Sequence, residues 1–362
     1  MVAPLDWGLG HATRCIPLIK LLLGQGADVL IAAEEPITTL LQAEFPAILI
    51  LPLKGYRIRY SSGKAMFVMK MLAQLPGIIY SLKYEKQWLN HIIDKHKIDA
   101  VISDNRFSLY TKKTPCVFIT HQLFIQAGNK ILNSIAQKIN YNFINKFNEC
   151  WVADAEGSNN LAGKLSHPDI LPFTPVKYLG ILTRCKKVEE EKNIELLIML
   201  SGPEPQRTIF EKILLSQLKN MYGPVVFLRG LPAAHNQLIP DNKNISILNH
   251  LPAAALNECI QRSKLVLARC GYSTVMDLVA LNQKAILVPT PGQTEQEYLA
   301  DYLQEKKIFL KAKQHNFSLE KEIQNAGTFN FASVKHIPLL NENIIIDWLA
   351  KLTVAGEQEQ KI

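Results

Sequence analysis

The sequence predicts a parallel α/β protein built as two Rossmann-like domains. Three observations carry that expectation. Short apolar runs without alternation recur along the whole chain, as strands buried on both faces do. Helical patterns of apolar residues fall between them. A charged run, Arg184–Lys192, divides the series in two and marks the linker. The expected boundaries are a first domain over 1–183, a second over 184–340, and a last segment, 341–362, that forms a helix and a tail.

In chain order, Val2–Leu5 reads as the first strand, followed by Asp6-Trp7-Gly8-Leu9-Gly10-His11 and a helix from about Thr13 to Leu23. Gly8 and Gly10 match the opening of a dinucleotide fingerprint, and Glu34, after the strand Asp28–Ala33, stands where a ribose-binding acid would. Thr13 occupies the third glycine position, so this fingerprint is incomplete. The βα rhythm continues through Ala47–Leu51, Ala100–Ser103, Cys116–Ile119 and Cys150–Ala153, and Val176–Leu182 closes the first domain. Asp104 follows the fourth of these strands and His121 and Gln122 follow the fifth. A strand-end Asp is either a turn former or a group that orients a nearby His.

The second domain begins with Ile194–Leu200, which runs into Ser201-Gly202-Pro203-Glu204-Pro205-Gln206-Arg207; Val225–Leu228 and Ile245–Leu248 continue its sheet. Leu265–Ala268 is the next strand, broken by Arg269-Cys270-Gly271-Tyr272-Ser273-Thr274, with Ser273 or Thr274 expected to cap the following helix. Ala285–Val288, the turn Pro289-Thr290-Pro291-Gly292 and a helix opened by Gln293-Thr294-Glu295-Gln296-Glu297 complete a βαβ unit. Both loops of such a unit lie at strand carboxyl ends, where ligands bind in open α/β sheets. The first loop offers N–H groups at a helix N-terminus to an anionic phosphate. Asp277, a turn further on, can accept hydrogen bonds from a ribose diol, and Gln296 and Glu297 can bond sugar hydroxyls. These residues describe either a nucleotide-sugar site or a βαβ unit with no ligand.

The stretch 265–303 resembles the donor-binding signature of glycosyltransferase family 28, of the GT-B fold, which includes the N-acetylglucosaminyltransferases acting on lipid-linked muramyl-pentapeptide. Arg269, Gly271, Asp277, Pro289, Gln296 and Tyr298 match that signature, with Asp277 in place of the usual Glu and Glu297 where a second Gln stands. Gly8-Leu9-Gly10-His11 is similar to the family's first glycine loop, and His121-Gln122 to part of its acceptor loop. The resemblance implies two Rossmann-like domains with parallel sheets facing a central cleft, a last helix within 341–362 that crosses back to the first domain, and an inverting, metal-independent transfer of an N-acetylhexosamine or hexose. The donor is a UDP-sugar and the acceptor a lipid-linked or glycan hydroxyl of the cell envelope. His11 would be the base, with Asp104 beside it. Gly8, Gly10, Arg14, His121 and Gln122 would face the acceptor. Ser201, Gly202, Arg207, Leu251, Arg269, Gly271, Tyr272, Ser273, Thr274, Asp277, Gln296 and Glu297 would face the donor. No cofactor and no metal ligand set is expected, and no Asp-x-Asp occurs in the chain. A UDP-sugar hydrolase and a silent sugar-nucleotide-binding protein are the two alternatives. The intact Gly8–His11 loop counts against the second, and the basic, apolar region 51–100 counts against the first.

Composition sets the outer limits. The 362 residues, 48% apolar and 20% charged, suit two folded domains. Six scattered cysteines without a CxxC read as reduced thiols of a cytoplasmic protein. No apolar run approaches the length of a membrane span, and the N-terminus lacks the pattern of a signal peptide. The net charge of +8 is concentrated in the first half. Residues 51–100 carry 9 basic and 3 acidic groups, and the apolar stretch 64–83 is unusually rich in methionine. No nucleic-acid motif accompanies this charge. Residues 51–83 are therefore expected to contact an anionic membrane surface at the inner face of the cell membrane. A solvated basic face is the simpler alternative.

Overall fold

The computed structural model describes the chain except for residues 7, 57–63, 127–128, 222, 232–237, 241 and 360–362. Within helical segments it leaves the side chains of 64–75, 220 and 354–359 undescribed. The chain divides into two compact units after Thr183, and the segment from Ile337 onward belongs again to the first.

The first unit is a seven-stranded sheet of β1 (Val2–Pro4), β2 (Ile31–Ala33), β3 (Ile50–Pro52), β4 (Val101–Asp104), β5 (Cys116–Thr120), β6 (Glu149–Val152) and β7 (Val176–Tyr178). Its spatial order is β3-β2-β1-β4-β5-β6-β7, with every neighbouring pair parallel. The helices that join these strands are α1 (Leu9–Gly24), α2 (Ile37–Glu44), α3 (Lys64–His96) and α4 (Lys130–Ile144). β1, β2, β4 and β5 are buried at every position, which is why their sequences are apolar throughout rather than alternating. Phe118 on β5 stacks against Phe107 and packs on Phe147, ring centroids 5.3 and 5.0 Å apart.

The second unit holds a six-stranded parallel sheet of β8 (Ile194–Met199), β9 (Val225–Leu228), β10 (Ile245–Leu248), β11 (Ser263–Ala268), β12 (Ala285–Leu287) and β13 (Leu310–Lys311). Its order is β10-β9-β8-β11-β12-β13. Around it lie α5 (Gln206–Gln217), α6 (Ala253–Gln261), α7 (Tyr272–Ala280), α8 (Thr294–Glu305) and α9 (Leu319–Thr328). Phe210, Phe227 and Phe317 fill one face of this sheet, the first and last edge to face at 5.2 Å.

The last helix, α10 (Glu342–Glu359), is part of the first unit. Ile181 pairs with Leu339, and the Trp348 ring meets Trp151 of β6 edge-on at 5.2 Å. Ile345 and Trp348 are buried there, so this helix completes the core of the first sheet.

Four local outcomes differ from the expected boundaries. Gly8, at φ +95°, turns the chain so sharply that α1 starts at Leu9, well before Thr13, and draws His11 into its first turn. The stretch after residue 64 is the start of a 33-residue helix, α3. The membrane-facing side chains expected at Arg57, Arg59, Lys64, Met66, Phe67, Met69, Lys70, Met71 and Leu72 lie outside the described residues. Helix α4 has no counterpart among the expected elements. Finally, neither Ser273 nor Thr274 caps α7; Gly271 holds that position, without a side-chain cap.

The carboxyl edge of the first sheet is tied together by a buried guanidinium. Arg106 Nε donates to the Pro4 carbonyl at 2.8 Å, and Nη1 donates to Lys54 O at 3.2 Å and Glu85 Oε1 at 2.7 Å. Glu85 Oε2 accepts from the Tyr56 hydroxyl at 2.7 Å. Arg106 and Glu85 have no exposed side-chain surface, and burial pushes the Glu85 carboxyl above its ordinary range despite the neighbouring guanidinium. Replacing one member strands the other charge out of water. Arg106→Leu is expected to cost about 3–5 kcal/mol of stability in urea denaturation, and a loss below about 1 kcal/mol would show that the pair does not hold this edge together.

Candidate active site

Each sheet has one place where neighbouring strands send their connections to opposite sides, and such switch points are where α/β sheets bind ligands. In the first unit this lies between β1 and β4, with Pro4 in register with Asp104. The chain leaves β1, turns at Gly8 and enters α1. His11 and Arg14, three residues apart on one helical face, are thereby brought to the end of β4.

Asp104 is fully buried and accepts from three donors. Arg14 Nε reaches Oδ2 at 2.8 Å, Arg14 Nη2 reaches Oδ1, and the Cys15 thiol lies 3.5 Å from Oδ2. His11 Nδ1 stands 3.2 Å from Asp104 Oδ1 and 2.8 Å from Arg14 Nη2. The other arm of the guanidinium, Nη1, is 3.0 Å from His121 Nδ1. Arginine only donates, so His121 Nδ1 is the acceptor there and its proton sits on Nε2, which is 3.5 Å from the Gln122 amide nitrogen. Five residues expected from the sequence, His11, Arg14, Asp104, His121 and Gln122, thus form one cluster at the end of the first sheet. Arg14 is its centre.

The electrostatics follow from burial and from Arg14. Burial would raise the Asp104 carboxyl, but Arg14 and His11 outweigh it and hold the group ionised well below the usual carboxylate range. Burial, and next the Arg14 cation, pull the His11 pKa below 6.5, against the opposing pull of Asp104. The imidazole is therefore neutral at pH 7. It keeps 14% of its side-chain surface exposed while Asp104 keeps none. A neutral imidazole backed by a buried carboxylate and open to solvent can take a proton from a hydroxyl.

In the second unit the switch point lies between β8 and β11, where Met199 is in register with Ala268. Helices α5 and α7 start just beyond these strands. Their N-cap residues, Pro205 and Gly271, supply no side-chain cap, and neither first turn contains an acidic residue. At α5 the Glu204 carboxylate accepts from the Thr208 N–H at 3.2 Å, whereas the N-terminus of α7 presents N–H groups and a positive dipole end to whatever enters. Helix α8 is also uncapped, but Glu295 and Glu297 in its first turn already oppose its dipole. An anion is accordingly favoured at α7 over α5 and α8. Gly202 sits at φ +101°, a conformation that glycine adopts freely, on an exposed turn beside Ser201.

Several expected donor-facing residues have other employment. Arg269 is 1% exposed and lies beneath its loop, with the guanidinium over the Phe210 ring at 4.4 Å. It donates to the carbonyls of Val288, Pro289 and Gln206 and to the Gln314 side chain. Burial draws its pKa down to about 10, so it stays charged at neutral pH. It holds the two switch-point loops together from below. Arg207 is likewise turned inward, bonded to Glu204 at 2.6 Å and Glu211 at 3.1 Å, and its charge is neutralised there. Gln296 and Glu297 accept from the N–H groups of Thr290 and Gly292 at 2.9 and 3.0 Å, so both brace the Pro289–Gly292 turn. Tyr272 is buried; Ser273, Thr274 and Asp277 are half-buried along α7, and Leu251 is half-buried after β10. Sequence reasoning passed over Thr290. It is 1% exposed, its hydroxyl has no hydrogen-bond partner, and it faces Gly202, at 3.4 Å from where a Cβ would stand. The Pro residues on either side were its only signal.

Residues 204–330 match the model of the glycosyltransferase family 28 C-terminal domain. No curated protein sequence matches the chain. Among solved structures, the chain is similar to the spinosyn forosaminyltransferase SpnP, at 12% identity and a TM-score of 0.59, covering 98% of both chains. MurG of Acinetobacter baumannii aligns at 15% identity and a TM-score of 0.54, over 97% of this chain and 99% of its own. The glycosyltransferase SnogD of Streptomyces nogalater aligns at 14% identity and 0.58, over 97% and 98%. At these identities the structures speak for the fold, which is GT-B, and the domain model speaks for the second unit. With those two likenesses on two parallel α/β sheets, the chain has the GT-B fold, and its second unit matches the glycosyltransferase family 28 C-terminal domain.

Proposed function

We propose that the protein is an inverting, metal-independent transferase that moves a hexose or N-acetylhexosamine from a UDP-sugar to the hydroxyl of a lipid-linked or glycan acceptor. The observation that carries this reading is the His11–Asp104–Arg14 cluster at the switch point of the first sheet. Arg14 Nη2 has Asp104 Oδ1 as its acceptor, so in the tautomer that carries its proton on Nδ1, towards Asp104, His11 offers the Nε2 lone pair to the acceptor hydroxyl. As that oxygen bonds to the anomeric carbon from the face opposite the leaving group, the C–O bond to the diphosphate breaks and the hydroxyl proton passes to His11. The configuration inverts, and UDP carries away the electron pair. The uncapped N-terminus of α7 is suited to the charge that builds on the diphosphate. Asp277 on α7 suits the ribose diol. A cytoplasmic enzyme working at the inner face of the cell membrane, with residues 51–83 of the first unit towards the lipid, fits a lipid-linked acceptor.

A donor panel assayed for nucleoside-diphosphate release, with and without membrane lipid extract, tests the reading directly. Release that needs neither extract nor any other acceptor would identify a hydrolase instead. His11→Ala is expected to lower turnover by roughly 10²–10⁴, the usual worth of a general base, and to leave UDP affinity unchanged; activity within a few-fold of the parent would remove His11 from the mechanism. Because the neutral form of His11 is the active one and burial, with Arg14, lowers its pKa, the acid limb of kcat/KM should lie on the acid side of that of an ordinary histidine. Asp277→Ala should weaken UDP binding by about 1.5–3 kcal/mol, as loss of a charge-assisted hydrogen bond does. Calorimetry giving equal affinities would exclude Asp277 from the donor site.

A further inference from the structure

Three loops of the second unit stand at one height above its sheet. Met199, Ala268 and Leu287 lie side by side in register on β8, β11 and β12. Gly202, Gly271 and Thr290 each follow three residues later, so the loop that opens α7 is flanked by the other two. Strands two apart in a sheet are roughly 10 Å from each other. Thr290 and Gly202 nevertheless meet, with Thr290 Oγ1 at 3.4 Å from where a Gly202 Cβ would stand. The outer loops therefore lean together across the end of β11, where α7 begins. Arg269 fixes them from below through the carbonyls of Val288, Pro289 and Gln206.

Thr290 is held firmly in this bridge. It stands between Pro289 and Pro291, and a residue before proline is confined to extended backbone. Its N–H donates to Gln296 Oε1 at 2.9 Å, and its carbonyl accepts from the Gln293 N–H at 3.1 Å. Its side chain is β-branched, so the rotamer is restricted as well. Only the hydroxyl is left over: among the described residues it has no hydrogen-bond partner, although the residue is 1% exposed. A buried hydroxyl without a partner destabilises a fold, and valine would fill the same space without that cost. The threonine is therefore explained by something that joins it. Beside it α7 turns a positive dipole end outward, and Gly202, at φ +101°, lies on an exposed turn against the hydroxyl. A group with a proton to give, next to a helix N-terminus that favours negative charge, fits a phosphate oxygen.

We propose that the Thr290 hydroxyl donates a hydrogen bond to the distal phosphate of the nucleotide sugar, the exposed Gly202 turn shifting to uncover Oγ1 as the ligand enters. This rests on the UDP-sugar reading given above. With the ribose at Asp277, the proximal phosphate meets the N–H groups at the start of α7, and the distal phosphate reaches the bridge between the two outer loops. The distal phosphate gains negative charge as the sugar departs, so the same hydrogen bond strengthens along the reaction.

Calorimetry of the full chain with UMP and with UDP tests this, because only UDP carries the distal phosphate. Thr290→Val keeps the shape of the side chain and removes the hydroxyl. It is expected to weaken UDP binding about 10- to 100-fold, as loss of a hydrogen bond to a charged group does, and to leave UMP within about twofold. The free variant should melt at the same temperature as the parent or higher, since a methyl group replaces an unpartnered buried hydroxyl. Thr290→Ser, which keeps the hydroxyl, should bind UDP within several-fold of the parent. Equal UDP affinity in the parent and Thr290→Val would overturn the proposal. So would parallel losses of UMP and UDP, or a lowered melting temperature, since either makes Thr290 a structural residue. A loss with UDP-N-acetylglucosamine but not with UDP would overturn it too, by setting the hydroxyl against the sugar. A parent that ignores UMP and UDP ends the uridine reading alone; dTMP and dTDP, which carry the same phosphates, then decide Thr290 by the same comparison. Failure of the parent to bind either diphosphate would end both.

Discussion

The first unit is arranged around the cost of burying the Arg14 guanidinium. A charge withdrawn from water must find acceptors at close range, and removing one partner of such a pair costs several kcal/mol. Asp104 meets that need from the end of β4, and the strand register that sets Pro4 against Asp104 is what makes the meeting possible. Once the pair is formed, the rest of the cluster has little freedom. His11 shares the Asp104 oxygen, His121 must accept from the remaining arm, and the cation keeps protons off the His11 ring. The placement of His11 and the stability of the first unit thus draw on the same ion pair, which is why an imidazole neutral at pH 7 can sit beside a fully buried carboxylate.

The second unit solves a different problem with the same residue type. Here the arginines lie behind the loops and the loops show backbone. Arg269 spans from the β12 turn to the first residue of α5, and Arg207 is folded into Glu204 and Glu211. What is left at the carboxyl edge of the sheet is positive by virtue of oriented peptides rather than side-chain cations. Such a surface suits an anion without the entropy cost of immobilising long side chains.

Much of this was legible in the sequence because strands buried on both faces have to be apolar throughout. β9 and β10 fall on the expected residues, and the other expected strands overlap theirs with ends shifted by a few residues. The first-unit cluster was legible too, because a glycine loop, a strand-end Asp and a post-strand His-Gln each sit where parallel topology sends chains to one edge. What escaped detection depends on partners distant in sequence. Nothing near Arg269 says that Gln206 and Gln314, 63 residues before it and 45 after it in the chain, will claim its donors. The start of α1 escaped because a left-handed glycine, not a polar cap, sets it.

The return of residues 337–359 to the first sheet bears on how the chain matures during synthesis. Trp151 is fully buried in part by Trp348, which is translated almost two hundred residues later, after the whole of the second unit. Emerging from the ribosome, the second unit has all its strands in hand while the first still lacks a wall of its core. Domains generally complete in the order their sequences become available. In this chain that order is reversed: the half that begins first closes last, and until α10 arrives the Trp151 side of the first sheet is an open apolar flank that a chaperone would recognise.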